Sequence, residues 1–184
     1  MKETIPISQR RLDIVIVAFF LLNLLFVSYF IDTEQLVIAN PAHFTYPFWP
    51  PRPVIDAVHW WGNNFDPLLM ARPVFFKVTI WLDNLLYGPF YAVAIYAYIK
   101  GKEWIRLPSI IYAVSMMSGV IMILSEEAFG QYHTSHLALV VGANISWIIF
   151  PLLILFRLGL NEHPFTRTVS GAETSSIEVE YEDG

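Results

Sequence analysis

Pro73–Ile99 reads PVFFKVTIWLDNLLYGPFYAVAIYAYI, a long apolar and aromatic run with one carboxylate, Asp83, near its middle. At helical rise, Asp83 lies roughly 15 Å into an apolar layer about 30 Å thick. An acid at that depth costs about 2.5–3.5 kcal/mol on insertion scales, so a chain that keeps one there usually has a pocket, a partner or a proton to move. Gly88-Pro89 follows shortly after. Pro89 has no N–H, so the Leu85 carbonyl loses its helical partner and a kink is expected next to the acid. Taken alone, the run could also be a buried helix of a soluble protein with a paired Asp. The rest of the chain decides between the two.

The chain has 184 residues, 55% of them hydrophobic and 15% charged, against soluble averages of roughly 45–50% and 25%. Four stretches are long enough to span a bilayer: residues 12–31, 73–99, 107–125 and 136–158. A soluble bundle would need four separate apolar helices of that length, so the sequence predicts an all-α membrane protein, a four-transmembrane-helix bundle. The first stretch lacks a small-residue cleavage site and reads as a retained helix. The chain has no cysteine, which excludes disulfides, thiol nucleophiles and thiolate metal sites. The net charge of −5 comes largely from the tail, and there is no basic patch for a nucleic acid.

The predicted organisation is an N-terminal arm (1–11), the membrane domain (12–160) and an acidic tail (161–184) expected to be disordered. The connection over 33–72 is long and rich in proline and aromatics. It is expected to lie at the interface as short helices, with Trp49, Trp60 and Trp61 at headgroup depth. With four spans both termini share one side. That side carries Lys2, Arg10, Arg11, Lys100, Lys102, Arg106, Arg157 and Arg167; the other carries Arg52, Arg72 and Lys77. The imbalance places both termini in the cytosol.

The polar residues inside the spans are the candidate site. Thr79 and Tyr87, four residues either side of Asp83, share its helix face. Asn144 and Trp147 are neighbours on the fourth span, and Pro151 removes the partner of the Trp147 carbonyl and bends that helix. Asp32, Glu34, Glu126 and Glu127 gather at the non-cytosolic ends of the spans. Such a set could hold a cationic amphiphile, with Asp83 as counter-ion and Trp147 as a cation–π face. It could equally do proton chemistry: a carboxylic acid in an apolar layer protonates an alkene, a second carboxylate takes a proton elsewhere, and the indole stabilises the cation between. Each residue also has a plainer reading. Glu126 and Glu127 could be interfacial charges, Asp32 a cap, Asn144 helix–helix glue and Asp66 a turn or helix-start device. His133 and His136 have a spacing two metal ligands could use, but no third ligand is near, so neither metal nor cofactor is expected.

Asn64-Phe-Asp-Pro-Leu-Leu69 and PVFFKVTIWLDNLLYGPFYAVAIYAYIKGKEWIRLPSIIYAV from Pro73 to Val114 resemble the EXPERA family, most closely its sigma-2 receptor branch. Asn144-Ile-Ser-Trp147 with Pro151, and Leu124-Ser-Glu126, are similar to segments of its emopamil-binding (sterol Δ8–Δ7 isomerase) branch. The resemblance implies a four-helix membrane domain around a hydrophobic intramembrane cavity, cytosolic termini, residence in the endoplasmic reticulum and frequent homodimers. It implies sterol-like, isoprenoid or cationic amphiphilic ligands. By position, Asp83 matches the intramembrane acid, Asp32 the acid closing the first helix and Asp66 the structural loop acid. The first-span His-x-x-x-Glu pair of the isomerase branch is absent, and the intramembrane acid is Asp rather than Glu. Two functions follow. One is an intramembrane isomerase or cyclase with Asp83, Asp32 and Glu126 as acid/base groups, and with Trp147, Asn144, Tyr87 and Thr79 around the substrate; Pro89, Pro151 and Asp66 are structural in it. The other is a non-catalytic sterol or lipid binder. A reporter fused after Arg167 is expected to score cytosolic; a lumenal score would overturn the topology.

Overall fold

The computed structural model describes residues 2–168. Four long helices dominate: α1 (Arg11–Val37), α4 (Val74–Lys100), α5 (Glu103–Phe129) and α6 (Leu137–Gly159). Each has the length and apolarity to cross a membrane, at about 1.5 Å per residue against a layer of about 30 Å. Between α1 and α4 lie two short helices, α2 (Arg52–Asn64) and α3 (Pro67–Ala71). Proline opens both, where a missing N–H costs nothing. Asp66 caps α3, its carboxylate accepting from the Leu69 N–H at 2.9 Å. The first span is longer than expected. Asp32 makes no cap and the helix runs on to Val37, because nothing in Asp32–Val37 breaks the ladder before the chain turns extended at Ile38.

The first half of α1 lies against the second half of α4, and α5 packs along α6. Phe20 sits at the centre with no exposure, its ring edge-on to Phe90, Tyr98 and Tyr112 and stacked on Tyr91. Such rings bury about 150–250 Å² each, and offset or edge-on pairs add about 0.5–1.5 kcal/mol beyond burial. Ala94 and Ala97 are fully buried in the same core, small residues of the kind that let membrane helices approach closely.

Two helices carry wide, π-helical turns: Asn23–Asp32 in α1 and Asp83–Tyr87 in α4. The second stands directly before Pro89, where the sequence leads us to expect a kink. The Gly88 N–H reaches back five residues to the Asp83 carbonyl, so widening of the turn before Pro89 absorbs the missing donor. In α6 the ladder is interrupted at Ile145, ahead of Trp147, and Pro151 lies inside the continuous piece Ser146–Gly159.

Ionic clusters close both ends of the bundle. At one end Asp13, fully buried, is paired with Arg10 and with Arg157 (3.0 Å), and both guanidiniums lie over the Phe165 ring. Phe165 is fully buried, its N–H donates to Glu103, and Thr166–Thr168 (β2) pairs antiparallel with Lys2–Thr4 (β1). The tail expected to be disordered from Asn161 is therefore built into the bundle as far as Thr168. The buried Phe165 ring, its N–H bond to Glu103 and the β1–β2 pairing hold it. The remainder of the acidic stretch lies outside the described residues.

At the other end Glu34, fully buried, accepts two hydrogen bonds from the Arg72 guanidinium (2.9 and 2.8 Å) and a third contact from His59 Nε2 (2.8 Å). Arg72 also donates to the Ile38 and Leu69 carbonyls, with its backbone in the left-handed region at φ 48°. One carboxylate thus ties α1, α2 and the start of α4. Removing one partner of a buried pair typically costs about 3–5 kcal/mol, because the other charge is stranded. Glu34→Ala is expected to lower the apparent Tm in mild detergent by roughly 6–20 °C, read by tryptophan fluorescence; an unchanged Tm would rule out this tie.

Candidate functional site

Above the aromatic core the helices part around a cavity of about 1080 Å³. It touches all four long helices, and α2 and α3 roof it through Trp60, Trp61 and Leu69. Most of its wall is apolar, including Ile80, Met116 and Val120. Asp83, Asp32, Asp66, Thr79, Tyr87, Asn144 and Trp147, singled out from sequence, all line it.

The two wide turns meet at the first carboxylate. Ser28 Oγ on α1 donates to Asp83 Oδ1 on α4 at 3.0 Å. One turn further along α1, Asp32 is 4% exposed, and its Oδ2 has no hydrogen-bond partner among the described residues. Tyr87 is tethered to α5 through a hydrogen bond between its hydroxyl and Ser115 Oγ. Thr79 spends its hydroxyl on its own helix, donating to the Phe76 carbonyl at 2.7 Å. Asn144 does the same, donating to Val140 O at 2.9 Å.

The indole of Trp147 donates to Asn23 Oδ1 at 2.8 Å, and the Asn23 amide in turn donates to Phe19 O at 2.8 Å. Asn23 is fully buried and fixes which way the indole face points. It carried a signal in the sequence, as an amide inside an apolar span, but its partner is 124 positions away. Ser28, Gln35 and Ser115 were likewise missed: isolated small polar residues in a span carry no pattern of their own.

Glu126 is a correction. Its carboxylate folds back to accept from the Tyr132 N–H at 3.0 Å, and it does not line the cavity. The neighbouring Glu127 turns inward and is fully buried, beyond the cavity wall. Successive helix residues differ by about 100° in direction, so spacing alone could not say which of the pair faces in. Asp66 both caps α3 and borders the cavity.

A four-span bundle around a large, mostly apolar cavity, with Asp32, Asp66, Asp83 and Trp147 in its wall, defines an integral membrane protein. The family model for EXPERA (EXPanded EBP superfamily) matches residues 53–158. The chain belongs to that family. It is similar to the sigma intracellular receptor 2 of Xenopus tropicalis, 36% identical over 87 residues, which is 46% of this chain and 51% of the relative. It is also similar to the sigma intracellular receptor 2 of Homo sapiens, 38% identical over 79 residues, 42% of this chain and 45% of the relative. The chain spans about half the length of the curated relatives it matches.

Trp147→Phe strands Asn23 Oδ1 in the core and is expected to cost about 1–3 kcal/mol. Asn23→Leu strands the indole N–H instead, and the double variant should recover part of the sum. A double-mutant cycle on unfolding in detergent is expected to give a coupling of about 0.5–3 kcal/mol; strict additivity would dissolve the pair.

Proposed function

We propose that this protein binds a sterol-like, isoprenoid or cationic amphiphilic molecule within the membrane, with its apolar body in the cavity and its polar or cationic end at Asp32 and Asp83. One observation carries the reading: Asp32 and Asp83, with Asp66, line one mostly apolar space, and Asp32 keeps a buried oxygen without a partner among the described residues. Buried anions are held by partners, and a ligand cation supplies one. The volume stands at the upper end of the roughly 300–1,000 Å³ usual for ligand pockets, which suits a polycyclic body. Trp147, held by Asn23, offers its face to the same space. Similarity to the sigma intracellular receptors 2 supports the binder.

A second reading is an intramembrane isomerase or cyclase, favoured by two acid groups and an indole around one cavity. Asp83 protonates an alkene carbon, Asp32 accepts a proton from a neighbouring carbon, and Trp147 stabilises the cation between them; Glu126 has no part in it. Residence in the endoplasmic reticulum, cytosolic termini and assembly as a homodimer belong to the same proposal and rest on the family and on the charge count.

The test incubates purified protein with a sterol and isoprenoid panel in D2O and follows bound and free lipids by mass spectrometry. Retained ligand without deuterium at carbon is expected for the binder; deuterium in an isomeric product would replace it with the enzyme. Asp83→Asn is expected to weaken retention of cationic amphiphiles by at least tenfold while the protein still inserts and purifies. Wild-type behaviour of that variant in both assays would remove Asp83 from the site.

A further inference from the structure

Gln35 lies three residues beyond Asp32 on α1, and its side chain lines the same cavity. It is 6% exposed; its amide nitrogen donates to the Ile31 carbonyl at 3.3 Å, and its Oε1 has no partner among the described residues. Asp32 Oδ2 is in the same condition. Residues three apart on a helix share a face, and both of these unsatisfied acceptors belong to residues lining the cavity.

They cannot satisfy each other as arranged, since a carboxylate and an amide carbonyl both only accept. As the amide stands, its nitrogen is engaged by the Ile31 carbonyl, which leaves Oε1 as the acceptor turned to the cavity. Buried acceptors without donors are rare in folded proteins and call for an explanation.

Resting on the binding reading above, we infer that Asp32 Oδ2 and Gln35 Oε1 form a two-acceptor clamp selecting ligands whose ammonium carries at least two N–H hydrogens. Asp32 supplies the charge and Gln35 counts the hydrogens. A primary or secondary ammonium donates to both oxygens at once. A tertiary ammonium donates to one and leaves the other stranded, and a quaternary ammonium donates to neither. Gln35 is thus a specificity residue, distinct from the carboxylates that hold any cation.

The experiment uses the full chain in detergent and three probes on one apolar skeleton: a 3-aminosteroid, its N,N-dimethyl derivative and its N,N,N-trimethyl derivative. Wild-type protein is expected to bind the primary amine at least tenfold more tightly than the trimethyl compound. Gln35→Leu should weaken the primary amine about tenfold and leave the trimethyl compound within twofold, collapsing the preference. An equal loss for all three probes in Gln35→Leu, or an undiminished preference, would overturn the clamp. Tight binding of all three by the wild type without preference would also overturn the clamp, while leaving the cation reading standing. Failure of all three to bind wild-type protein would overturn the cationic-ligand reading and the clamp with it.

Discussion

The cavity exists because one buried carboxylate holds its roof. Glu34 accepts from Arg72 and meets His59, and Arg72 spends its remaining donors on the Ile38 and Leu69 carbonyls. These contacts join the end of α1, the two roof helices and the start of α4 in a region otherwise made of loop. A buried ion pair is weak evidence of net stability against an apolar substitute, but it is strong against loss of one partner. Here it specifies an arrangement. With α1 and α4 tied at that end and packed through Phe20 at the other, the space between them stays open.

Much of this was legible from sequence, for an unequal set of reasons. The four spans follow from length and apolarity, which membranes enforce more strictly than water does. Asp83 stands out because charge at depth is costly and Asp32 because it closes the first span, and both border the cavity. Asp66 before Pro67 is a local helix start that needs no tertiary knowledge. Glu126 fails as a cavity group because a helix end allows either of two adjacent acids to face inward. The Asn23–Trp147 bond, the Glu34–Arg72–His59 cluster and the seat of Phe165 join residues far apart in sequence, and nothing in local pattern reports such pairings. The lone Phe165 in a polar stretch was the one available hint that the segment after α6 was anchored.

The family match begins at residue 53, so it omits α1. Yet α1 supplies Asn23, Ser28, Asp32 and Gln35, the groups that orient the indole, hold Asp83 and offer free acceptors. The shared part of the fold provides the chamber, the intramembrane acid and the tryptophan. The part outside the match provides much of the polar detail around the cavity.

The wide turns of α1 carry a consequence for how this helix can vary. A π-helical turn holds an extra residue relative to the α-helical one, and Asn23 and Asp32 stand at the two ends of such a stretch. Loss of a single residue between them would let the stretch tighten into ordinary helix with its hydrogen bonds intact. The lost residue is the one the wide turns absorb, so the pieces before and after it would keep nearly the same relative direction. Asn23 would still face Trp147, and Asp32 and Gln35 would still face the cavity. In ordinary helix a deletion has no such slack and turns everything beyond it by about 100°. The wide turns are therefore where this helix can lose a residue and keep its cavity face.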